Sequence, residues 1–306
     1  MRDFEYEAPT TLAAAIELLS RNDGRSKPLA GGTDLIDHVR TGRLSPDVIV
    51  DIKKIPDLNI LEASTTGLRL GAAVNCTTIA SHPAIGAHYD DCPFGIPGTL
   101  LRAVQKHQRV VILSLIGDYT NWPPVKGREQ GLLELSKQLA AERGIEMRFL
   151  NYKSLGFEPT LETKRAVAEV VADVKPDTAF MLWPRDRHPD HEAASAICHA
   201  ALYQPARLLG REEVKSPSHV YWYDNGPGHT IGFEPDTYVD VSSEWPAAGE
   251  WLGRLMAYVR KEDYDPAKPD AALEAKSVLS RYRGLACGAR YAEAFKSVRP
   301  VVNAEF

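Results

Sequence analysis

The sequence predicts an α/β protein: a mostly parallel sheet with helices on both faces, preceded by a small α+β lobe. Three observations carry this. From about residue 84 onward, short apolar runs alternate with amphipathic stretches of helical period, as strands do when crossover helices join them in parallel. Strands buried by helices on both faces read as near-continuous apolar runs, and Val110-Val111-Ile112-Leu113 is one. The chain has 306 residues, 44% of them apolar, enough to fill the core of such a sheet.

In the first section a strand is predicted around Phe4 to Tyr6. A helix follows from the start signal Pro9-Thr10-Thr11, with Leu12, Ile16 and Leu19 on one face and a stop near Asn22-Asp23-Gly24. The turn Gly31-Gly32-Thr33-Asp34 opens a second helix to about Arg40, and strands are predicted at Val48 to Ile52, Leu58 to Glu62 and Leu68 to Val74. The second section repeats strand then helix. Its strands are Ala84 to Ala87, Arg109 to Ile116, Glu146 to Asn151 and Thr178 to Trp183. Its helices are Thr99 to Lys106, Arg128 to Arg143, Leu161 to Val174 and His191 to Leu202. Two more strands, His219 to Asp224 and Tyr238 to Val241, precede helices at Ala247 to Arg260 and Ala271 to Arg283. No internal repeat is present.

Charge narrows the function classes. A net charge of −5, a pI near 6.0 and no Lys/Arg-rich block argue against a nucleic-acid surface and against anionic membranes, leaving a small molecule as the expected partner. Cys76, Cys92, Cys198 and Cys287 have no CxxC spacing, so a reduced protein without disulfides is expected. The amino-terminal Met1 to Tyr6 has no apolar signal core and no run approaches membrane-spanning length, which together predict a cytoplasmic location. A homo-oligomer is left open.

The chemistry is concentrated in two short clusters, His88-Tyr89-Asp90-Asp91 and His188-Pro189-Asp190-His191. Each follows an apolar, strand-like run, so each is expected in a loop at the carboxyl end of a strand, where ligands of open α/β sheets bind. Alone, the first is also explained by an Asx-type turn and the second by a helix N-cap at Asp190. Together they make a metal site. Catalytic zinc takes about three N or O ligands at roughly 2.0–2.2 Å and keeps a position for water, and His88, Asp91 and His191 supply that set. The metal would lower the pKa of its water to about 7. Asp90 is then the candidate general base, and His188 a candidate proton donor to the leaving amine or stabiliser of an oxyanion. Asp190 is expected to orient His188 or His191. Cys92 is left out of the ligand set as a small buried residue.

At these residues the chain resembles the PIG-L/LmbE-like zinc N-deacetylases. The family's first motif, Ala-His-Pro-Asp-Asp, is similar to Ala87-His88-Tyr89-Asp90-Asp91, and its second, His-Pro-Asp-His, is matched by His188 to His191 followed by Glu192-Ala193-Ala194. Arg283-Gly284 with Tyr291 to Phe295 gives a third likeness. Over about residues 84–306 the resemblance implies a Rossmann-like fold, zinc held by His88, Asp91 and His191, Asp90 as base, and N-acetyl sugar-like substrates. Two departures stand out. Tyr89 replaces the family's Pro, which is expected to loosen the ligand loop and place a phenol beside the site. Pro93 and Pro97 replace residues commonly Glu and Gly, and Pro97 is expected to disturb a helix start.

The first section resembles the opening of the FAD-binding subunit of molybdenum hydroxylases of the xanthine and carbon monoxide dehydrogenase type. Phe4-Glu5-Tyr6, Pro28 to Leu35, Val50-Asp51-Ile52 and Gly67 to Ala72 carry that likeness. In the family the Gly-Gly-Thr-Asp turn cradles the FAD pyrophosphate, which makes Gly31, Gly32 and Thr33 weak cofactor candidates here. The likeness covers only residues 1–83, and no counterpart of the family's second lobe follows, so bound FAD is not expected. The predicted domains are therefore 1–83 and 84–306, joined as a fusion. The predicted function is zinc-dependent removal of an acyl group from nitrogen. The competing reading is a flavin-binding or interaction module with a degenerate metal site.

Overall fold

A computed structural model describes residues 3–299 except 22–23, 65–66, 74–80, 121 and 227. The chain divides into two compact units, Met1–Ile79 and Ala80–Phe306. In the first, strands β1 (Glu5–Glu7), β2 (Ser26–Leu29) and β3 (Val48–Asp51) form a parallel sheet in the order β1-β3-β2. Helix α1 (Leu12–Ser20) starts where Thr11 accepts a hydrogen bond from the Ala14 amide, and α2 (Thr33–Arg40) starts at Gly32, whose φ of +99° suits glycine. The expected apolar face of α1 is only partly used. Ala15 packs on Val48, Val50 and Ile55, whereas Leu12 and Ile16 stay exposed because this small sheet offers little area to cover. A hairpin, β4 (Leu61–Ser64) with β5 (Gly67–Leu70), completes the unit; the predicted strand at Leu58 is instead a short turn of 3₁₀-helix. Asn22, Asp23, Val74 and Cys76 lie outside the described residues.

The second unit is built on a seven-stranded sheet of order β11-β12-β10-β9-β6-β7-β8. Its strands are β6 (Ser81–Gly86), β7 (Arg109–Asp118), β8 (Ile145–Lys153), β9 (Thr178–Leu182), β10 (His219–Tyr223), β11 (Thr237–Asp240) and β12 (Ala292–Ser297). All neighbours from β10 to β8 are parallel; β12 runs antiparallel between β10 and β11. Strand β6 begins three residues before its predicted start and contains Pro83. A proline is tolerated in this central strand because pairing with β9 begins only at Ala84.

Helices flank the sheet on both faces: α3 (Asp91–Gly95), α4 (Pro97–Gln105), α5 (Glu129–Ala141), α6 (Leu161–Val174), α7 (Pro189–Tyr203), α8 (Pro205–Leu209), α9 (Trp245–Arg260) and α10 (Ala271–Cys287). Leu100, Leu132, Val167, Ile197 and Leu255 from five of them join Ile85, Val110, Ile112 and Met181 of the strands in one core. Pro97 does not disturb a helix. It occupies the first position of α4, where its fixed φ fits and its missing N–H is not needed. Cys92 and Cys198 are free and buried, and Cys287 is free and exposed. Among the described residues no helix is long and apolar enough to cross a membrane.

The topology places the site. From β6 the chain moves outward to β7 and β8, then returns to add β9 on the other side of β6. This reversal opens a crevice at the carboxyl ends of β6 and β9, the position ligands favour in open α/β sheets. The loop after β6 carries His88 to Asp90 with Asp91 opening α3, and the loop after β9 ends at His188, with Pro189 to His191 in the first turn of α7.

Candidate metal and catalytic site

Gly86, the last residue of β6, lets the chain fold back sharply. A Cβ there would lie 2.7 Å from the Asp91 Cβ. The fold-back lets the Ala87 and His88 amides each donate to Asp91 Oδ2 at 2.7 Å, while Asn225 Nδ2 donates to Oδ1 at 2.9 Å. Two lone pairs of Oδ2 are thus taken, and Oδ1 keeps one for another partner. That oxygen is 3.1 Å from His191 Nε2. His88 Nδ1 is 3.2 Å from the same His191 nitrogen and 3.5 Å from Asp91 Oδ2. Donors sharing a tetrahedral zinc at about 2.0–2.2 Å lie roughly 3.3–3.6 Å from one another, so two nitrogens and a carboxylate at these separations have the size and the chemistry of a zinc ligand set.

The histidines form a larger cluster. His88, His188 and His191 hold nitrogens within 4.8 Å of one another, and so do ligand atoms of Asp186, His191 and His229. Around His191 Nε2, His88 Nδ1 and Asp91 Oδ1 stand at 3.2 and 3.1 Å, and Asp91 adds a carboxylate already aligned by three donors. Burial would lower the His88 imidazolium, but hydrogen bonds to Asp190 and Asp91 and the charges of Asp91 and Asp90 outweigh it and raise the pKa to about 9. The same opposition, with Asp91 and Asp186 as partners, raises His191 to about 10. Both values describe histidines held only by carboxylates; a cation between them would replace those protons.

Asp90 lines the same cavity and does not cap α3 with its side chain. Its pKa is raised, first by burial and then by the negative charge of Asp91, partly offset by His88 and His191. His188 is the N-cap of α7, its Nδ1 accepting the Asp190 amide at 3.2 Å. The helix therefore begins at Pro189, with His188 rather than Asp190 at the cap. A ring that accepts through Nδ1 carries its proton on Nε2 when neutral, and burial with the neighbouring His88 and His191 charges lowers its pKa toward that neutral form.

Asp190 departs from expectation. Its Oδ2 lies 3.3 Å from His88 Nε2 but 3.8 Å from His188 Nδ1, and Ser154 Oγ and the Leu155 amide donate to it at 2.6 and 2.8 Å. The carboxylate facing the second nitrogen of His191 is Asp186, at 3.1 Å, a residue that sequence reasoning passed over. Asn225 and His229 were also missed. They come from the loop after β10 and reach the site only through the fold.

Tyr89 does not loosen its loop. Its amide, which proline would lack, donates to Tyr119 Oη at 3.0 Å, and its ring is buried against Tyr119 and Trp122. These aromatics and Phe94 form one wall of a cavity of about 560 Å³, with the histidines, Asp90 and Asp91 on the other. In the first unit, Gly31 and Gly32 stand at the start of α2 as expected, and the side chain of Thr33 lies outside the described residues.

Comparison with known proteins gives two family matches, which overlap over residues 84–111. The family described as "GlcNAc-PI de-N-acetylase" (PIG-L) matches residues 84–202, and "FAD binding domain in molybdopterin dehydrogenase" matches residues 2–111. The second match weighs against the expectation that no flavin binds. The nicotinate dehydrogenase FAD-subunit of Eubacterium barkeri is 38% identical over 89 residues, 29% of this chain and 30% of that protein. The glyceraldehyde dehydrogenase medium chain of Sulfolobus acidocaldarius is 35% identical over 83 residues, 27% of this chain and 29% of that protein. The chain thus spans under a third of the length of these relatives.

Among solved structures, the 4-carboxy-2-hydroxymuconate hydratase GalB of Pseudomonas putida is similar with a TM-score of 0.64 at 18% identity, over 74% of this chain and 100% of that one. The N,N'-diacetylchitobiose deacetylase of Pyrococcus horikoshii is similar with a TM-score of 0.59 at 19% identity, over 71% and 83%. At such identity these likenesses speak for the fold. Residues 84–202 are a domain of the GlcNAc-PI de-N-acetylase family, and the segment ahead of them is of the FAD-binding type found in molybdopterin dehydrogenases.

Proposed function

We propose that the second unit is a zinc-dependent N-deacetylase acting on a small N-acylated metabolite such as an N-acetyl sugar. The observation that carries this reading is the convergence of His88 Nδ1 and Asp91 Oδ1 on His191 Nε2, at 3.2 and 3.1 Å, at a topological switch point. The family of residues 84–202 supports the same reaction.

His88, Asp91 and His191 would hold the metal. When bound, zinc supplies a Lewis acid that makes water more acidic and polarises a carbonyl. Asp90, made more basic by burial and by the charge of Asp91, accepts the proton of the water that adds to the amide carbonyl carbon. His188 hydrogen-bonds through Nε2–H to the carbonyl oxygen as charge develops there, and Asp90 passes the proton it took from water to the amide nitrogen as the C–N bond breaks, releasing amine and carboxylic acid. The aromatic wall of Tyr89, Tyr119 and Trp122 suits the apolar faces of a sugar or acyl chain. A cytoplasmic setting and a small-molecule partner belong to the same reading.

The test is elemental analysis of the full chain together with amine release over a panel of N-acetyl sugars. Because the fold also serves a hydratase, a hydration assay on unsaturated carboxylates belongs beside it. Stoichiometric metal with amine release supports deacetylation. Metal with hydration alone, or a flavin spectrum without metal, overturns it; the latter favours a flavin-binding module on residues 2–111.

A further inference from the structure

Asp186 lies in the loop between β9 and α7, two positions before the His-Pro-Asp-His cluster, and its side chain is 2% exposed. Its carboxylate meets three histidine groups. Oδ2 is 3.1 Å from His191 Nδ1, Oδ1 accepts the His188 amide at 2.8 Å, and Oδ1 lies 3.7 Å from His229 Nδ1. The backbone beneath it is fixed by a small ladder. Asp186 pairs with Thr230, the Arg187 amide donates to the His229 carbonyl at 3.0 Å, and the Ile231 amide donates to the Arg185 carbonyl at 2.9 Å. The Asp186 amide itself donates to Glu192 Oε1 on α7 at 3.1 Å. A buried carboxylate this firmly placed, with no lysine or arginine against it among its described contacts, is held for the imidazoles.

We propose that Asp186 is a positioning residue that acts through His191. An imidazole can offer Nε2 to a metal only when its proton sits on Nδ1. A carboxylate at Nδ1 selects that tautomer, fixes the plane of the ring and raises the basicity of Nε2. Asp186 Oδ2 stands 3.1 Å from Nδ1 of His191, within hydrogen-bond distance although the two are not aligned as a hydrogen bond in this structure, and Nε2 of the same ring faces His88 and Asp91. The inference rests on the zinc reading above and adds a residue to it. It also explains why the loop from 229 to 231 is paired to the loop from 185 to 187: the ladder holds the carboxylate that holds the ligand.

The experiment is zinc affinity of the full chain, measured by competition with a chelator, for the parent, Asp186→Asn, His191→Ala and the double variant. Asp186→Asn keeps the shape and should bind zinc about 10–100-fold more weakly, as second-layer carboxylates at metal sites do. In the His191→Ala background the same change should add no further loss, because the residue it acts through is gone. Should Asp186→Asn fail to fold by circular dichroism, Asp186→Glu reads the same coupling with the charge kept. Parental affinity in Asp186→Asn, or an equal loss with and without His191, overturns the positioning role. Two zinc ions per chain, falling to one in His229→Ala, would make Asp186 a ligand and overturn it as well. A parent chain that binds no zinc removes the metal reading and this inference with it, whereas parental zinc without amine release removes only the deacetylase reading.

Discussion

Asp190 Oδ2 lies 3.3 Å from His88 Nε2, so the acid of the second cluster reaches across the crevice to the histidine of the first. Ser154 and the Leu155 amide at the end of β8 hold it there. Three strand ends thereby converge on one imidazole, and its other nitrogen is left facing Asp91 and His191. Asp190→Asn should weaken zinc binding about 10–100-fold through His88. Because His188 caps α7, the helix should survive the change. Unchanged zinc affinity with unchanged helicity would sever Asp190 from His88.

Removing one member of a three-residue ligand set leaves the ion underheld. His88→Ala, Asp91→Ala and His191→Ala should each carry far less zinc than the parent by elemental analysis. If all three keep full metal, the ion sits elsewhere; if only His191→Ala loses it, the other close grouping, Asp186 with His191 and His229, becomes the place to look.

Asp90 separates base from ligand. Asn at this position keeps the shape and cannot take a proton, so Asp90→Asn should retain zinc while amide hydrolysis falls roughly 10²–10⁴-fold. Unaltered turnover would remove Asp90 from the mechanism.

The far end of the ligand helix is locked by a buried ion pair. Lys276 Nζ donates to the Gly95 carbonyl at 2.7 Å and lies 3.3 Å from Glu293 Oε1, with side chains 2% and 0% exposed. Glu293 in turn accepts the Gly98 and Thr99 amides at the start of α4. Lys276→Met leaves that carboxylate buried without its cation and should cost about 3–5 kcal/mol. The thermal midpoint should drop by roughly 6 °C or more. Adding Glu293→Gln should recover part of the loss, and a single variant as stable as the parent would show the pair to be dispensable.

Elements with strong local signals were readable from residues alone. Helix α6 runs from Leu161 to Val174 as its period indicates, and both histidine clusters follow strand ends, the second of them mostly in the first turn of α7 rather than in a loop. What escaped was set by distant partners. Strand β12 contains Glu293 and Lys296 among short apolar residues and breaks the strand-helix alternation, and only its place between β10 and β11 makes it a strand. Asp186, Asn225 and His229 are polar residues in turn-rich loops, with no spacing that relates them to a motif. The exchange of roles between Asp190 and Asp186 has the same origin. Sequence proximity pointed to the nearest histidine, but a residue at the first turn of α7 projects toward β8 and the loop after β6, while the loop residue before it faces back to His191.

Flavin binding by the amino-terminal segment is the remaining prediction. Gly31 and Gly32 lead into α2 with backbone amides at its start, and residues 2–111 match a FAD-binding domain. A pyrophosphate at one such turn gains a few charge-assisted hydrogen bonds, each about 1.5–3 kcal/mol at best, offset by the cost of immobilising a long flexible ligand. Tight binding needs the adenine and isoalloxazine rings buried as well. The matched segment spans only 30% of the Eubacterium barkeri FAD-subunit, so most of that subunit has no counterpart in the match. The small core around Ala15, Val50 and Ile55 is too slight to replace it. Purified protein is therefore expected to show no flavin absorbance, and FAD titrated at low micromolar concentration should show no quenching. One flavin per chain would instead make residues 1–79 a cofactor-binding unit, and Gly32→Ala, which strains a φ of +99° and places a Cβ 3.1 Å from Leu29 Cδ1, should then release it.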